Sequence, residues 1–253
     1  MFLRFAAVAV LSFAPIFAQA PAKSEAPGAL PDARQLIDRH IKEIGGRAAI
    51  LRYKSVRMTA TVSVPASGIT GPMEVWGATN PNRVLVKTTM PGIGEIAEGF
   101  DGTHAWTISP MTGPMLKTGK ELEQTKLDAD LYSELRDPKN YPTVKTVEKT
   151  TFDGRPCYKV ALTRVDGAQD FDFYDVATGL RAGSIVTRES PMGTMTMTTV
   201  DGGYKKFGNM MHSTVHTQKV MGVEQTIKVE TVEYDKVDPS VFTPPPAIKA
   251  LIK

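Results

Sequence analysis

Two histidines, His212 and His216, stand four residues apart near the C-terminal third of the chain. On a helix that spacing can ligate a metal, but the H-E-x-x-H pattern fails because position 213 is Ser. On a strand both rings would share one face, and surface histidines explain them more simply. Asp170, Asp172 and Asp175 form a small acidic cluster, and paired carboxylates can bind Ca²⁺ or act as acid and base. Their alternation with Phe171, Phe173 and Tyr174 reads instead as the wet face of a strand. The single cysteine, Cys157, has no disulfide partner within the chain and sits in a strand-like segment, which favours a buried structural thiol. Pro91 to Ala97 contains G-x-G-x-x-A after a strand, yet Asp101-Gly102 turns the chain where a dinucleotide-binding helix would have to follow. No G-x-S-x-G elbow is present. Tyr158, Arg164 and the Asp170/Asp172 pair are the remaining weak candidates for catalysis. The expectation is a non-enzymatic protein with no cofactor and no metal.

The elements that carry these residues are mostly strands. From Arg155 to Val200, segments of Val, Phe, Tyr, Thr and Met alternate with polar residues and break at Asp166-Gly167, Thr178-Gly179 and Pro191-Met192-Gly193. A period of two joined by short Gly-bearing links predicts an antiparallel meander. Ser55–Val64 is the cleanest strand, and further strands are predicted at 69–78, 82–90, 94–100 and 104–109. Two more flank Asp153-Gly154, and the last run over 203–221 and 222–236. Asp32 reads as the N-cap of a helix bearing Leu36, Ile37, His40, Ile41 and Ile44 and stopped by Gly45-Gly46. A short second helix is predicted over 47–53. Gly119 to Leu135, with Leu122, Leu127, Leu131 and Leu135, predicts a helix inserted between two halves of the sheet. The fold class is therefore α+β: one large antiparallel sheet of about eleven strands, an N-terminal helix and an inserted helix.

Composition bounds the rest. Apolar residues make up 42% and charged residues 23% of the chain, with a formal charge of +3, and no basic block stands out. Nucleic acid is not an expected partner. Met1 to Ala20, with Arg4 followed by a short apolar run, predicts a cleavable secretory signal. That run is too short to span a bilayer, so no transmembrane segment is expected in the mature chain. Residues 21–31 read as a flexible leader, 32–246 as one domain and 247–253 as a tail.

Several stretches together resemble one family. The helix ending in His40 to Gly46, the strand Val56–Val64 and the hairpin Gly99-Phe100-Asp101-Gly102-Thr103-His104-Ala105-Trp106 carry the first part. Phe152 to Val160, Phe173 to Leu180 and the ending Asp238-Pro239-Ser240-Val241-Phe242-Thr243-Pro244 carry the rest. The pattern resembles the LolA/LolB-like superfamily, closest to the outer membrane lipoprotein-sorting protein group. The resemblance implies an incomplete, half-open β-barrel covered by helices, with an apolar cavity for acyl chains. It also implies a periplasmic role carrying lipids or lipoproteins, and a possible membrane-protein docking partner. The residues that LolA-type carriers use for cavity closure and docking have no assignable counterparts here.

The composition supports a cavity independently. Twelve methionines, among them Met192, Met195, Met197, Met210, Met211 and Met221, suit a surface that accepts ligands of variable shape. Two helices also look too few to cover so wide a sheet, although ordinary core packing would use the same residues. The expected lining of the cavity is Met58, Val62, Met73, Trp76, Val86, Phe100, Trp106, Val160, Leu162, Phe171, Phe173, Met195, Met197, Ile227 and Val229. The leading reading is a carrier or binder of a lipid or acylated lipoprotein. The alternatives are an envelope interaction or sensor module using the sheet's outer surface or edge, and an enzyme built on the same cavity.

Overall fold

The structure is a computed structural model that describes residues 29–190 and 193–252. The expected signal segment 1–20, the leader up to residue 28 and Met192 lie outside the described residues.

Thirteen strands form a single antiparallel sheet. In chain order they are β1 (Ser55–Val64), β2 (Ile69–Ala78), β3 (Arg83–Met90), β4 (Gly94–Phe100), β5 (Ala105–Ser109), β6 (Gly113–Lys117), β7 (Thr143–Phe152), β8 (Arg155–Thr163), β9 (Gln169–Asp175), β10 (Arg181–Ser190), β11 (Gly193–Gly202), β14 (Val215–Val220) and β15 (Val223–Tyr234). Between β11 and β14 a separate two-stranded ribbon is made by β12 (Lys205–Phe207) and β13 (Met210–His212). The spatial order is β6-β5-β4-β3-β2-β1-β15-β14-β11-β10-β9-β8-β7, so the chain's last strands close the gap between its two meanders. The end strands β6 and β7 do not pair with each other, and the barrel stays open. The helices are α1 (Ala33–Glu43), α2 (Arg47–Arg52), α3 (Gly119–Asp128) and α4 (Pro246–Lys249).

The sheet must curl, and α3 shows it. Leu122 on α3 and Ala129 at its C-cap pack on Phe100 and Ala105, while Asp128 pairs with Arg188 of β10 at 2.9 Å. Between β5 and β10 lie eight strand spacings, which would span roughly 38 Å in a flat sheet at ~4.8 Å each. A ten-residue helix is only about 15 Å long. Both halves of the sheet therefore wrap around α3.

The count of about eleven strands falls short in two places. β6 was not expected, because Gly113 and Pro114 mask a strand that pairs through Thr107↔Met115. The single predicted strand over 203–221 is three, because Gly203 (φ +62°) and Gly208 (φ +58°) turn the chain into the β12–β13 ribbon. The inserted helix also ends at Asp128 rather than Leu135. Asp130 instead accepts the Tyr132 amide and the Asn140 side chain, and a short 3-10 turn covers Ser133–Leu135.

Helix α1 behaves as its spacing dictates. Asp32 accepts the amides of Arg34 and Gln35, and Leu36, Ile37 and Ile41 are buried against Val160, Leu162 and Tyr174. The β12–β13 ribbon plugs the same end, with buried Met210 in this cluster and the Met211 amide donating to the Ile44 carbonyl. The opposite face of the first half-sheet is covered by the chain's C-terminal segment. Phe242 and Ile248, the latter on α4 within the expected tail, are buried beside Leu85, Ala97 and Trp106.

Candidate ligand cavity

Strand pairing assigns every side chain to one of two faces, because directly opposed residues in an antiparallel pair point the same way. The concave face, turned toward α1 and α3, carries Val56, Met58, Ala60 and Val62 of β1, with Met73, Val75 and Gly77 opposite them on β2. It continues through Val84, Val86 and Phe100 on one side, and through Ile227, Val229 and Val232 on the other. Further round it takes in Met195, Met197 and Asp201, then Ser184 and Arg188, then Asp170, Asp172 and Tyr174, and finally Tyr158, Val160 and Leu162.

Eleven of the expected cavity residues thus share the concave face: Met58, Val62, Met73, Val86, Phe100, Val160, Leu162, Met195, Met197, Ile227 and Val229. Four do not. Trp76 and Trp106 face the other way, over a groove of about 310 Å³ bordered by Val241 and Pro245. Phe171 and Phe173 lie with Phe152, Cys157 and Ala182 in a cluster on the convex side, where Phe173 stacks on Phe152 at 4.0 Å between ring centroids. The alternation along β9 is as expected, but its faces are reversed. Asp170 and Asp172, expected on the wet face, are only 2% exposed, and the aromatic residues occupy the outer side.

Two adjoining lobes lie between the concave face and its cover. The larger, about 250 Å³, is lined by Val56, Met58, Val75, Gly77, Val84 and Tyr234 from the sheet, and by Ile50, Tyr53 and residues 128–131 from above. The second, about 210 Å³, is lined by His40, Ile44, Arg181, Tyr204, Met211 and His216. Met58, Glu134, Met210 and His212 belong to both. Each lobe alone falls below the roughly 300 Å³ at which small-molecule pockets begin, and the two together exceed it. Unbranched methionines at the shared wall can change rotamer to open or narrow the passage. Of the expected lining, Met58 and Val229 border these lobes, and Leu162 borders a third, polar space of about 130 Å³.

Sequence reasoning missed the ionic layer beneath the second lobe. Arg181 donates to Asp201 at 2.8 Å and to Glu134 at 3.1 Å, and its backbone amide donates to His40 Nδ1. Asp201 is 1% exposed and also pairs with His216 Nδ1 at 2.8 Å. Deeper still, Arg136 grips Asp172 through two nitrogens at 2.8 and 3.2 Å, and the Tyr174 hydroxyl donates to the same carboxylate. Burial alone would raise Glu134 and Asp201, yet Arg181 beside them holds both below the usual carboxylate range. For Asp170 burial wins over Arg188 and Arg164, and its carboxyl is pushed up. Burial also lowers His212, whose ring bonds the Tyr234 hydroxyl. His212 and His216 sit on different strands, β13 and β14, and both line the second lobe rather than the surface.

These groups do not assemble a nucleophile. Ser213 lies beside the Asp201–His216 pair in sequence and space, but its hydroxyl donates to the backbone carbonyls of Gly202 and Val215 and accepts the Gly202 amide. Arg164 is spent on Asp166, Asp170 and the Thr187 carbonyl. Cys157 is fully buried, and burial raises its thiol. Among the described residues, no three His, Cys, Asp or Glu side chains are placed to hold a metal, and no helix is long and apolar enough to cross a membrane.

No family model and no curated protein matches the chain. Solved structures do. A DUF1329 family protein from Desulfovibrio piger superposes with a TM-score of 0.57 at 12% identity, covering 85% of this chain and 98% of its own. A LolA superfamily protein from Nitrosomonas europaea gives 0.53 at 12% identity over 85% and 99%. A domain assigned provisionally to outer membrane lipoprotein sorting, from Vibrio parahaemolyticus, gives 0.52 at 10% over 83% and 95%. The fold is LolA/LolB-like.

Proposed function

We propose that this chain is a periplasmic, non-enzymatic carrier or binding protein that takes an acyl chain of a lipid or lipoprotein into the concave cavity. The observation that carries this reading is the larger lobe, whose sheet wall of Val56, Met58, Val75, Gly77 and Val84 offers an acyl chain no charge. Arg83, Asp128 and Asp130 also border it and could meet a polar headgroup, while Glu134 on the wall shared with the second lobe is bonded to Arg181 and His40. The other concave-face residues of the expected lining, such as Val62, Met73, Met195, Met197 and Ile227, extend this apolar wall beyond the lobes. Each buried CH₂ of a ligand contributes up to ~0.8 kcal/mol, so a single long chain suffices for measurable affinity. LolA-like neighbours and the predicted signal segment support the periplasmic setting.

The test is competition for a fluorescent fatty acid. Met58→Trp fills the wall shared by both lobes and should weaken binding at least about tenfold, or ~1.4 kcal/mol, while the folded transition is kept. Undiminished binding by that variant would remove the cavity from the account.

A further inference from the structure

Six of the sheet's consecutive-strand hairpins, β1–β2, β3–β4, β5–β6, β8–β9, β10–β11 and β14–β15, turn at the same end of the sheet, the end away from the β12–β13 ribbon. The large apolar side chains exposed among the described residues gather there. Ile93 (39% exposed), Met111 (82%) and Met221 (65%) stand in the turns, with Met115 and Val223 beside them, whereas Val165 (69%) stands in the β8–β9 turn between the ion-paired Arg164 and Asp166 and shares a groove with Lys126 and Lys139. Only Leu30, Val147 and Leu251 are comparably exposed elsewhere. Scattered apolar residues on a surface need no explanation, but a collection at one end does.

Charge is withdrawn from most of the turns at this end. Residues 58–73, 88–94, 105–116 and 220–223 contain no Asp, Glu, Lys or Arg, so four of the turns are wholly uncharged. The ion pairs Lys87–Glu95 and Lys219–Glu224 sit just behind the uncharged turns on the convex face, and Arg164–Asp166 lies within the β8–β9 turn itself. On the concave face, partly exposed Met73, Met195, Met197 and Ile227 instead carry the apolar surface inward from the tips.

From this arrangement we propose that the hairpin end is a membrane-docking rim, which seats its uncharged turns in the interfacial region of a lipid bilayer. A fluid lipid surface fits separate apolar tips that share no groove. The ion pairs behind them are placed to meet headgroups, and the concave face gives an acyl chain an apolar route away from the bilayer. This goes beyond the cavity reading and can fail separately from it.

The test is sedimentation of the purified protein with vesicles of phosphatidylethanolamine and phosphatidylglycerol. Wild type should sediment with the vesicles and, because the tips are uncharged, should do so equally in high salt. The double variant Met111→Glu, Met221→Glu should bind at least about tenfold more weakly. Val147→Glu, at an exposed apolar residue (43%) on the edge strand β7, should bind as wild type, and so should Met58→Trp. Wild type left in the supernatant, a double variant that sediments normally, or binding abolished by salt would each overturn the proposal. If Met58→Trp alone abolished sedimentation, the lipid contact would run through the cavity and the rim would be excluded. A concentration-dependent dimer lost in the double variant, with no vesicle binding, would make the rim an interface between copies instead.

Discussion

Asp201 is the residue on which the ionic layer turns. It is held by Arg181 on one oxygen and His216 on the other, at 1% exposure. Removing one member of a buried pair leaves the other charge without compensation, at a cost of about 3–5 kcal/mol. Its carboxyl titrates below the ordinary ~3.9, so the unfolded chain binds the proton more readily than the folded one. The stabilisation is therefore complete above about pH 4 and is lost as pH falls through the folded value. Urea denaturation should find Asp201→Asn less stable by about 3 kcal/mol at pH 7, with the gap narrowing below about pH 4. A constant gap across that range would place the effect elsewhere. Sequence reading missed this residue because a lone Asp before Gly202-Gly203 reads as a turn. Its partners lie fifteen and twenty positions away: Arg181 is on the neighbouring hairpin strand, but that these two side chains meet is not stated by a strand's own alternation, and His216 comes from β14 beyond the β12–β13 ribbon.

At the scale of elements, strand period was legible and strand phase was not. β1 puts Val56, Met58, Ala60 and Val62 on one face as its alternation requires. On β9 the same rule gave two faces, and hydropathy chose the wrong one for the interior. Arg136 and Arg188 from distant segments, and Arg164 from the adjoining turn, reach Asp170 and Asp172 and make burial of those acids tolerable, while Phe171 and Phe173 find cover in Phe152 and Lys159 outside. Trp76 and Trp106 went the same way, because the segment that covers them, Val241 to Ile248, is built around Pro244-Pro245-Pro246 and ends in what reads as a tail. Ile248 within it is fully buried. Ile248→Ala should cost about 2–5 kcal/mol in thermal or urea unfolding, as a core truncation does. A change under about 0.5 kcal/mol, typical of a surface site, would show that α4 does not belong to the core.

At the scale of the molecule, the antiparallel meander, the N-terminal helix and the inserted helix were all readable from spacing, turns and caps. The closure was not. That β15 joins β1 to β14, and that the sheet wraps α3, depends on pairings across most of the chain. Wrapping is what leaves two lobes under the cover beside the packed core, and antiparallel alternation sends six hairpins to one end. The central claim is that those lobes hold an acyl chain. Native mass spectrometry of the protein purified gently from a Gram-negative periplasm, followed by solvent extraction, tests this most directly. The account predicts lipid or lipopeptide at close to one per chain. A clean apo mass that persists after incubation with added lipid would contradict it.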